Sequence, residues 1–442
     1  MKRQTVVLVL GGAGRTVFQP VLGRPLGAYT LDAVCGLGPD AVVVLSGPED
    51  RDREDWNGLV EAAAPRGPVF WLAGEKPVRG PRRAVLAALA TGRRLLQKYP
   101  DCDIVAVPAD RPLLRDKTLK ALLRVHRAKG SSLTFLSGGE GTGLADVLAL
   151  RSADVFPLLG TKTAPRRPVS YEDLAWRLTQ AGKLVGFYEC PDASEAEPVD
   201  DSAAVGFAAQ ALCQRKNEAL ARRGVVLLDP AAAWIDWAVS IGPRTVVYPS
   251  VVIEGPSRIG PDGRIYPHVH IMSSTLGARV KVLSSTVMEG TVLEDDVQVG
   301  PFLRFRPKTR VCAAAKVGNF VEMKNTVFGP GSKAQHLSYV GDSTVEDGVN
   351  IGAGTITCNY DGVSKNPTRI GAGAFIGSGT ELVAPVVVGR GAYVAAGSTI
   401  TKDVAAGALA IARARQVEKP GWALERARTR GRKKAGHGGG TP

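Results

Sequence analysis

Two kinds of hydrophobic pattern divide the chain. In the first part, short apolar runs alternate with amphipathic stretches. Val6–Leu10, Ala41–Leu45, Val69–Leu72 and Ile104–Val107 are rich in β-branched residues and unbroken by charge, which marks strands buried on both faces. Arg82–Leu96 and Lys117–Ala128 read as helices between them. That alternation predicts a largely parallel α/β sheet. An Ala-rich helical pattern over Asp200–Arg223 predicts a connecting helix.

The period then changes to six. Apolar residues recur at Ile241, Val247, Ile253, Ile259, Ile265 and Ile271. A second series runs Val299, Phe305, Val311, Val317, Met323, and a third Ile370, Ile376, Leu382, Val388, Val394, Ile400. Gly follows many of these positions, as in Ile241-Gly242 and Ile376-Gly377. A strict step of six with small turn residues is the hexapeptide signature of a parallel β-helix. A β-sandwich would alternate with period two instead. One coil cannot bury its apolar face alone, so coils stack.

A length of 442 residues suits two domains, and 44% hydrophobic with 22% charged residues suits globular ones. The net charge of +14 is partly terminal. Arg426, Arg428, Arg430, Arg432, Lys433 and Lys434 cluster there, and such a run predicts a solvated, disordered end. The remaining excess suits an enzyme of anionic phosphates, and nucleic acid is not expected as a partner. Cys35, Cys102, Cys190, Cys213, Cys312 and Cys358 form no CxxC pair. They read as reduced thiols of a cytoplasmic protein. No stretch is long enough to span a membrane, and the apolar start ends too soon, at Gly11-Gly12-Ala13-Gly14, for a signal peptide.

Several strings in the second half are specific. They are Gly318-Asn319-Phe320-Val321-Glu322-Met323-Lys324, His336-Leu337-Ser338-Tyr339-Val340-Gly341-Asp342, Val349-Asn350-Ile351-Gly352-Ala353-Gly354-Thr355, Asn359-Tyr360-Asp361-Gly362 and Ala408-Leu409-Ala410-Ile411. Through them, residues 225 to 422 resemble the acetyltransferase half of the bacterial bifunctional N-acetylglucosamine-1-phosphate uridyltransferase/glucosamine-1-phosphate N-acetyltransferase family. The resemblance implies a left-handed β-helix and a homotrimer with active sites between subunits. It also implies acetyl-CoA as co-substrate and a sugar phosphate as acceptor, in UDP-N-acetylglucosamine biosynthesis.

Acetyl transfer to an amine needs a base, oxyanion donors, phosphate-binding cations and a groove for coenzyme A. Among five histidines, His336 lies where the step of six is interrupted, between the Val299 and Ile370 series, and such breaks carry function. With the family match, His336 is the expected general base. Cys358 lies nearby, but no activating partner stands beside it in sequence, so it reads as packing. The resemblance assigns Arg306, Lys324, Tyr339, Asn350 and Lys365 to the sugar phosphate. It assigns Ala353, Asn359, Tyr360, Ser378, Ala396 and Arg413 to acetyl-CoA, with Ser378 as an oxyanion donor.

The first half resembles the family's uridyltransferase domain less closely. Leu10-Gly11-Gly12-Ala13-Gly14-Arg15-Thr16 stands where such domains carry a Gly-rich phosphate loop, and Ala109-Asp110-Arg111-Pro112-Leu113 where they carry the metal motif. Asp110 is the candidate Mg²⁺ ligand. The Lys expected after Pro20 is Val21, and the base-reading segment is Gly80-Pro81-Arg82-Arg83-Ala84. No Asn stands near Asp201-Ser202, where the family has a second metal ligand, and the chain runs quickly to Gly141-Thr142-Gly143. The expected layout is a degenerate nucleotidyltransferase-like domain over 1–202, a connecting helix over 203–223, the β-helix over 224–412, and a C-terminal segment over 413–442 that ends in the basic tail. The leading reading is an acetyltransferase with a decayed first domain. A fully bifunctional enzyme and a non-catalytic β-helix scaffold are the alternatives.

Overall fold

The computed structural model describes residues 3–11, 15–46, 50–63, 67–73, 98–138, 144–159 and 171–436. The Gly12–Gly14 loop, the Arg15 side chain, the Arg82–Leu96 pattern, Gly80–Ala84 and Gly141–Gly143 lie outside them. The chain divides into two compact units, Met1–Ser285 and Thr286–Pro442.

In the first unit a seven-stranded sheet has the spatial order Val69–Ala73, Ala41–Ser46, Gln4–Leu10, Cys102–Pro108, Leu144–Arg151, Leu133–Ser137, Val185–Glu189. The strand Leu144–Arg151 runs antiparallel to both neighbours, and the other pairs are parallel. The central strands have no exposed face: Val6, Val7, Val9, Ile104, Val105 and Ala106 are fully buried. That is why the runs Val6–Leu10 and Ile104–Val107 are continuously apolar. Helices Leu26–Gly36 and Asp116–Ala128 add Leu31, Val34, Leu119 and Leu122 to the core on one face.

The helix Ser202–Arg222 is capped by Asp201, whose carboxylate accepts from the Ala204 N–H at 2.7 Å. It ties the sheet domain to the first coils. Lys216 Nζ donates to the Trp237 and Val239 carbonyls, and Asn217 Nδ2 to those of Pro230 and Ala233. Trp237 also packs edge-on against Tyr29, and its N–H bonds the Leu22 carbonyl. These contacts explain why the first compact unit runs on to Ser285 instead of ending near residue 223.

Residues from Val226 onward form short strands in three parallel ladders, the coils of a left-handed β-helix. In the first unit Ile241 pairs with Ile259, Val247 with Ile265 and Ile253 with Ile271. In the second, Val299 pairs with Val317, Phe305 with Met323 and Val311 with Phe328. Every residue of the three six-step series is buried.

Two expectations are corrected here. The step of six does not break at His336. It shortens to five at Phe328 and Val345, and the buried row runs on through Phe328, Ala334, Val340, Val345 and Ile351. The true interruption is the segment after Cys358, which leaves the ladder and returns at Thr368. The basic cluster is also not a disordered end in its described part, because Trp422–Gly436 is a helix. Residues 437–442 lie outside the description. Among the described residues no helix is long and apolar enough to cross a membrane. All six cysteines are free thiols.

Candidate functional site

His336 ends the strand Lys333–His336 and stands in register with Asn319, one coil below. Its Nδ1 lies 3.0 Å from Asn319 Oδ1. An amide oxygen only accepts, so Nδ1 is the donor, and the neutral ring keeps its lone pair on Nε2. The ring is solvent-exposed, so Nε2 is open to a substrate.

The ladder puts further residues in the same column. Ala334 pairs with Ile351, Ile351 with Ile376, Ile376 with Val394 and Val394 with Ala410. Two residues beyond each come His336, Ala353, Ser378, Ala396 and Ala412. The backbone confirms the stacking, since Gly379 N–H donates to Ala353 O and Gly397 N–H to Ser378 O. Arg413 lies against Gly397, its Cδ 3.8 Å from where a Cβ would stand. Beside His336, Phe302 and Phe320 stack at 5.6 Å, and with Leu337 they form an exposed apolar ridge. All three have positive φ, which bulky residues rarely adopt.

A second column holds cations. Phe305 pairs with Met323 and Met323 with Val340, so Arg306, Lys324 and Gly341 are successive outward positions. Arg306 and Lys324 line a recess of about 510 Å³ with Glu289, Arg304, Lys308 and Asp342. Lys365 reaches Lys324 from the excursion after Cys358. The hydrogen-bonding Lys365 amine and its charge hold Lys324 below its ordinary pKa, with Arg306 adding and Asp342 opposing. Three converging cations suit a phosphate dianion.

Asp342 organises the neighbouring groups. Its carboxylate accepts from Asn325 Nδ2 at 2.6 Å and from Asn359 Nδ2. A carboxylate only accepts, so the Asn359 amide turns its nitrogen toward Asp342 and its oxygen away from it. Gly341 makes this approach possible, because a Cβ there would stand 2.5 Å from the Tyr339 hydroxyl and 2.8 Å from Asn359 Nδ2. The excursion is folded on itself: Asp361 accepts from the Val363 and Ser364 N–H groups, Tyr360 pairs with Lys365, and the exposed Tyr360 hydroxyl bonds Gly362 O.

Within one chain these groups do not all meet. His336 precedes the strand Tyr339–Gly341, while the cation column stands at that strand's far end. Asn350 lies on the His336 ladder, between Lys333 and Phe375, and not on the ladder of the cation column. Burial pushes the Cys358 thiol up, the opposite of an activated nucleophile. Sequence reasoning gave no role to Asn319 or Asp342. Asn319 is visible only once the coil length that pairs it with His336 is known.

In the first unit, Asp110 follows the carboxyl end of the strand Cys102–Pro108, the edge where α/β sheets take ligands. It is 5% exposed and ion-paired with Arg111, which also reaches Asp146 at 3.5 Å. Burial raises the Asp110 pKa, and the Arg111 charge pulls it back. No group of three or more His, Cys, Asp or Glu among the described residues is placed to hold a metal. A guanidinium already in contact with both carboxylates opposes a second cation, so these residues as they stand do not fit Mg²⁺. Val21 is buried and packs among Leu22, Leu26, Tyr29 and Leu113, while Asp201 serves as the helix cap.

Comparison with known proteins gives two family matches and a set of relatives. Residues 11–174 match the MobA-like NTP transferase domain, and residues 367–402 match the bacterial transferase hexapeptide (six repeats). "Bifunctional protein GlmU" of Thermotoga maritima is 35% identical over 441 residues, covering 93% of this chain and 95% of that protein. The protein of the same name from Carboxydothermus hydrogenoformans is 38% identical over 388 residues, covering 78% and 86%. That of Anaeromyxobacter dehalogenans is 37% identical over 446 residues, covering 93% and 89%.

Proposed function

The chain belongs to the GlmU family, and from that premise we propose that it acetylates the amine of glucosamine 1-phosphate with acetyl-CoA, His336 acting as general base. The observation that carries this reading is the pairing of His336 with Asn319 at the foot of the Ala353–Ser378–Ala396 column. The thioester of acetyl-CoA lies along that column, with the Ser378 hydroxyl donating to the oxygen that becomes negative. His336 Nε2 takes the proton as the amine nitrogen attacks the carbonyl carbon. The tetrahedral intermediate then expels the coenzyme A thiolate. Arg306, Lys324 and Lys365 hold the phosphate, and Tyr339 borders the sugar.

Because one chain separates His336 from the phosphate-binding cations, the working unit is a homotrimer in which a neighbouring subunit completes the site. The exposed ridge Phe302–Phe320–Leu337 supports a second copy as its cover. The decisive experiment is His336→Ala. Acetyl transfer should fall by about 10²–10⁴-fold with the Michaelis constant for the sugar phosphate little changed. Near-normal turnover would move the base elsewhere.

We further propose that UTP transfer is lost. Val21 occupies the position of the family's Lys and is packed in the core, where an ammonium has no place. Asp201 is committed to a helix end. The bifunctional alternative is favoured by the length of the match to bifunctional relatives. Pyrophosphate release from UTP, Mg²⁺ and N-acetylglucosamine 1-phosphate decides between the two. Turnover on the order of 1 s⁻¹ would restore the bifunctional reading.

A further inference from the structure

Arg111 is a buried charge beside the crevice edge, at 3% exposure. Its Nη1 contacts the Asp110 carboxylate and its Nη2 lies 3.5 Å from Asp146 Oδ2. Its Nε is buried with no hydrogen-bond partner among the described residues. The two carboxylates come from different elements. Asp110 follows the strand Cys102–Pro108, and Asp146 lies on the neighbouring antiparallel strand Leu144–Arg151. Both reach the same guanidinium. Two carboxylates drawn together out of water need a cation between them.

We propose that Arg111 is a built-in cation that takes the place of a divalent metal between Asp110 and Asp146. Guanidinium does not lose its proton in a protein, so the position is filled at every working pH and whatever the metal supply. The carboxylates neutralise Arg111, and Arg111 neutralises them. This inference builds on the reading that the first domain no longer transfers a nucleotide, and gives that loss a specific lock.

The test uses the full chain, with thermal unfolding in EDTA and in MnCl₂ and a Mn²⁺ titration followed by electron paramagnetic resonance. The wild type should melt at one temperature in both media and bind no stoichiometric Mn²⁺. Arg111→Leu leaves two facing carboxylates. Its melting temperature in EDTA should fall by roughly 6 °C or more, Mn²⁺ should restore part of the loss, and one Mn²⁺ per chain should bind. Arg111→Lys, which keeps the charge, should stay insensitive to Mn²⁺. One Mn²⁺ per wild-type chain, lost in Asp110→Asn, overturns the proposal, as does an Arg111→Leu protein with unchanged melting. If Arg111→Leu does not fold, the wild-type and Asp110→Asn titrations decide alone. Metal binding by the wild type without pyrophosphate release would sink this inference and leave the loss of UTP transfer standing. UTP turnover would sink the loss itself.

Discussion

Asn319 and Asp342 each fix the direction of another side chain by being able only to accept at the contact they make. Asn319 sets the His336 tautomer, so Asn319→Ala leaves the base present but free to rotate. We expect kcat to fall by about 10²-fold, the scale of a misplaced reacting group, with both Michaelis constants nearly unchanged. A comparable rise in either constant would make Asn319 a binding residue instead. Far from that site, His126 is fully buried, with Nδ1 at 2.9 Å from the Thr134 hydroxyl and Nε2 facing Asp103. Burial drops its pKa from 6.5 to about 4. The unfolded chain therefore binds a proton here before the folded one does. The stability linked to His126 is fully present above pH 6.5 and is lost as pH falls toward 4. In His126→Leu the melting temperature should change less between pH 6.5 and 4 than in the wild type. Parallel pH profiles would assign the acid sensitivity to other groups.

Each coil is one strand set repeated, and function enters as outward positions of that repeat. Arg306→Ala or Lys324→Ala removes one charge-assisted contact worth roughly 1.5–3 kcal/mol. The Michaelis constant for glucosamine 1-phosphate should rise by about 10- to 150-fold while that for acetyl-CoA stays put. Equal damage to both would point to a deformed coil. At this scale the sequence was legible wherever the inward residue is large. Ile241 to Ile271 and Ile370 to Ile400 announce themselves, as do the unbroken apolar runs Val6–Leu10 and Ile104–Val107. It was illegible where a coil shortens by one residue and the inward position is small, as at Ala334. That is why His336 read as standing in a gap when it stands in a ladder. Asp342 was hidden for another reason. Its partners, Asn325 and Asn359, are adjacent only across coils, and no local pattern reports them.

At the scale of the assembled molecule, the reading requires three chains. Light scattering at micromolar concentration should give a trimer. Phe320→Asp should shift it toward monomer and lower activity in step. Asp tolerates the left-handed backbone that position 320 adopts, so lost assembly there reports the surface and not the turn. A trimer unchanged by this substitution would put the interface on another face. The ladder also acts as a ruler. Neighbouring strands lie about 4.8 Å apart, so distances along the column that starts at His336 come only in whole steps of that length. From His336 to Ala412 there are four steps, about 19 Å in all. A substrate laid along this edge is measured against a graduated scale, and a chain with one coil added or removed between His336 and Ser378 would have its base one graduation out of place while every coil remained well folded.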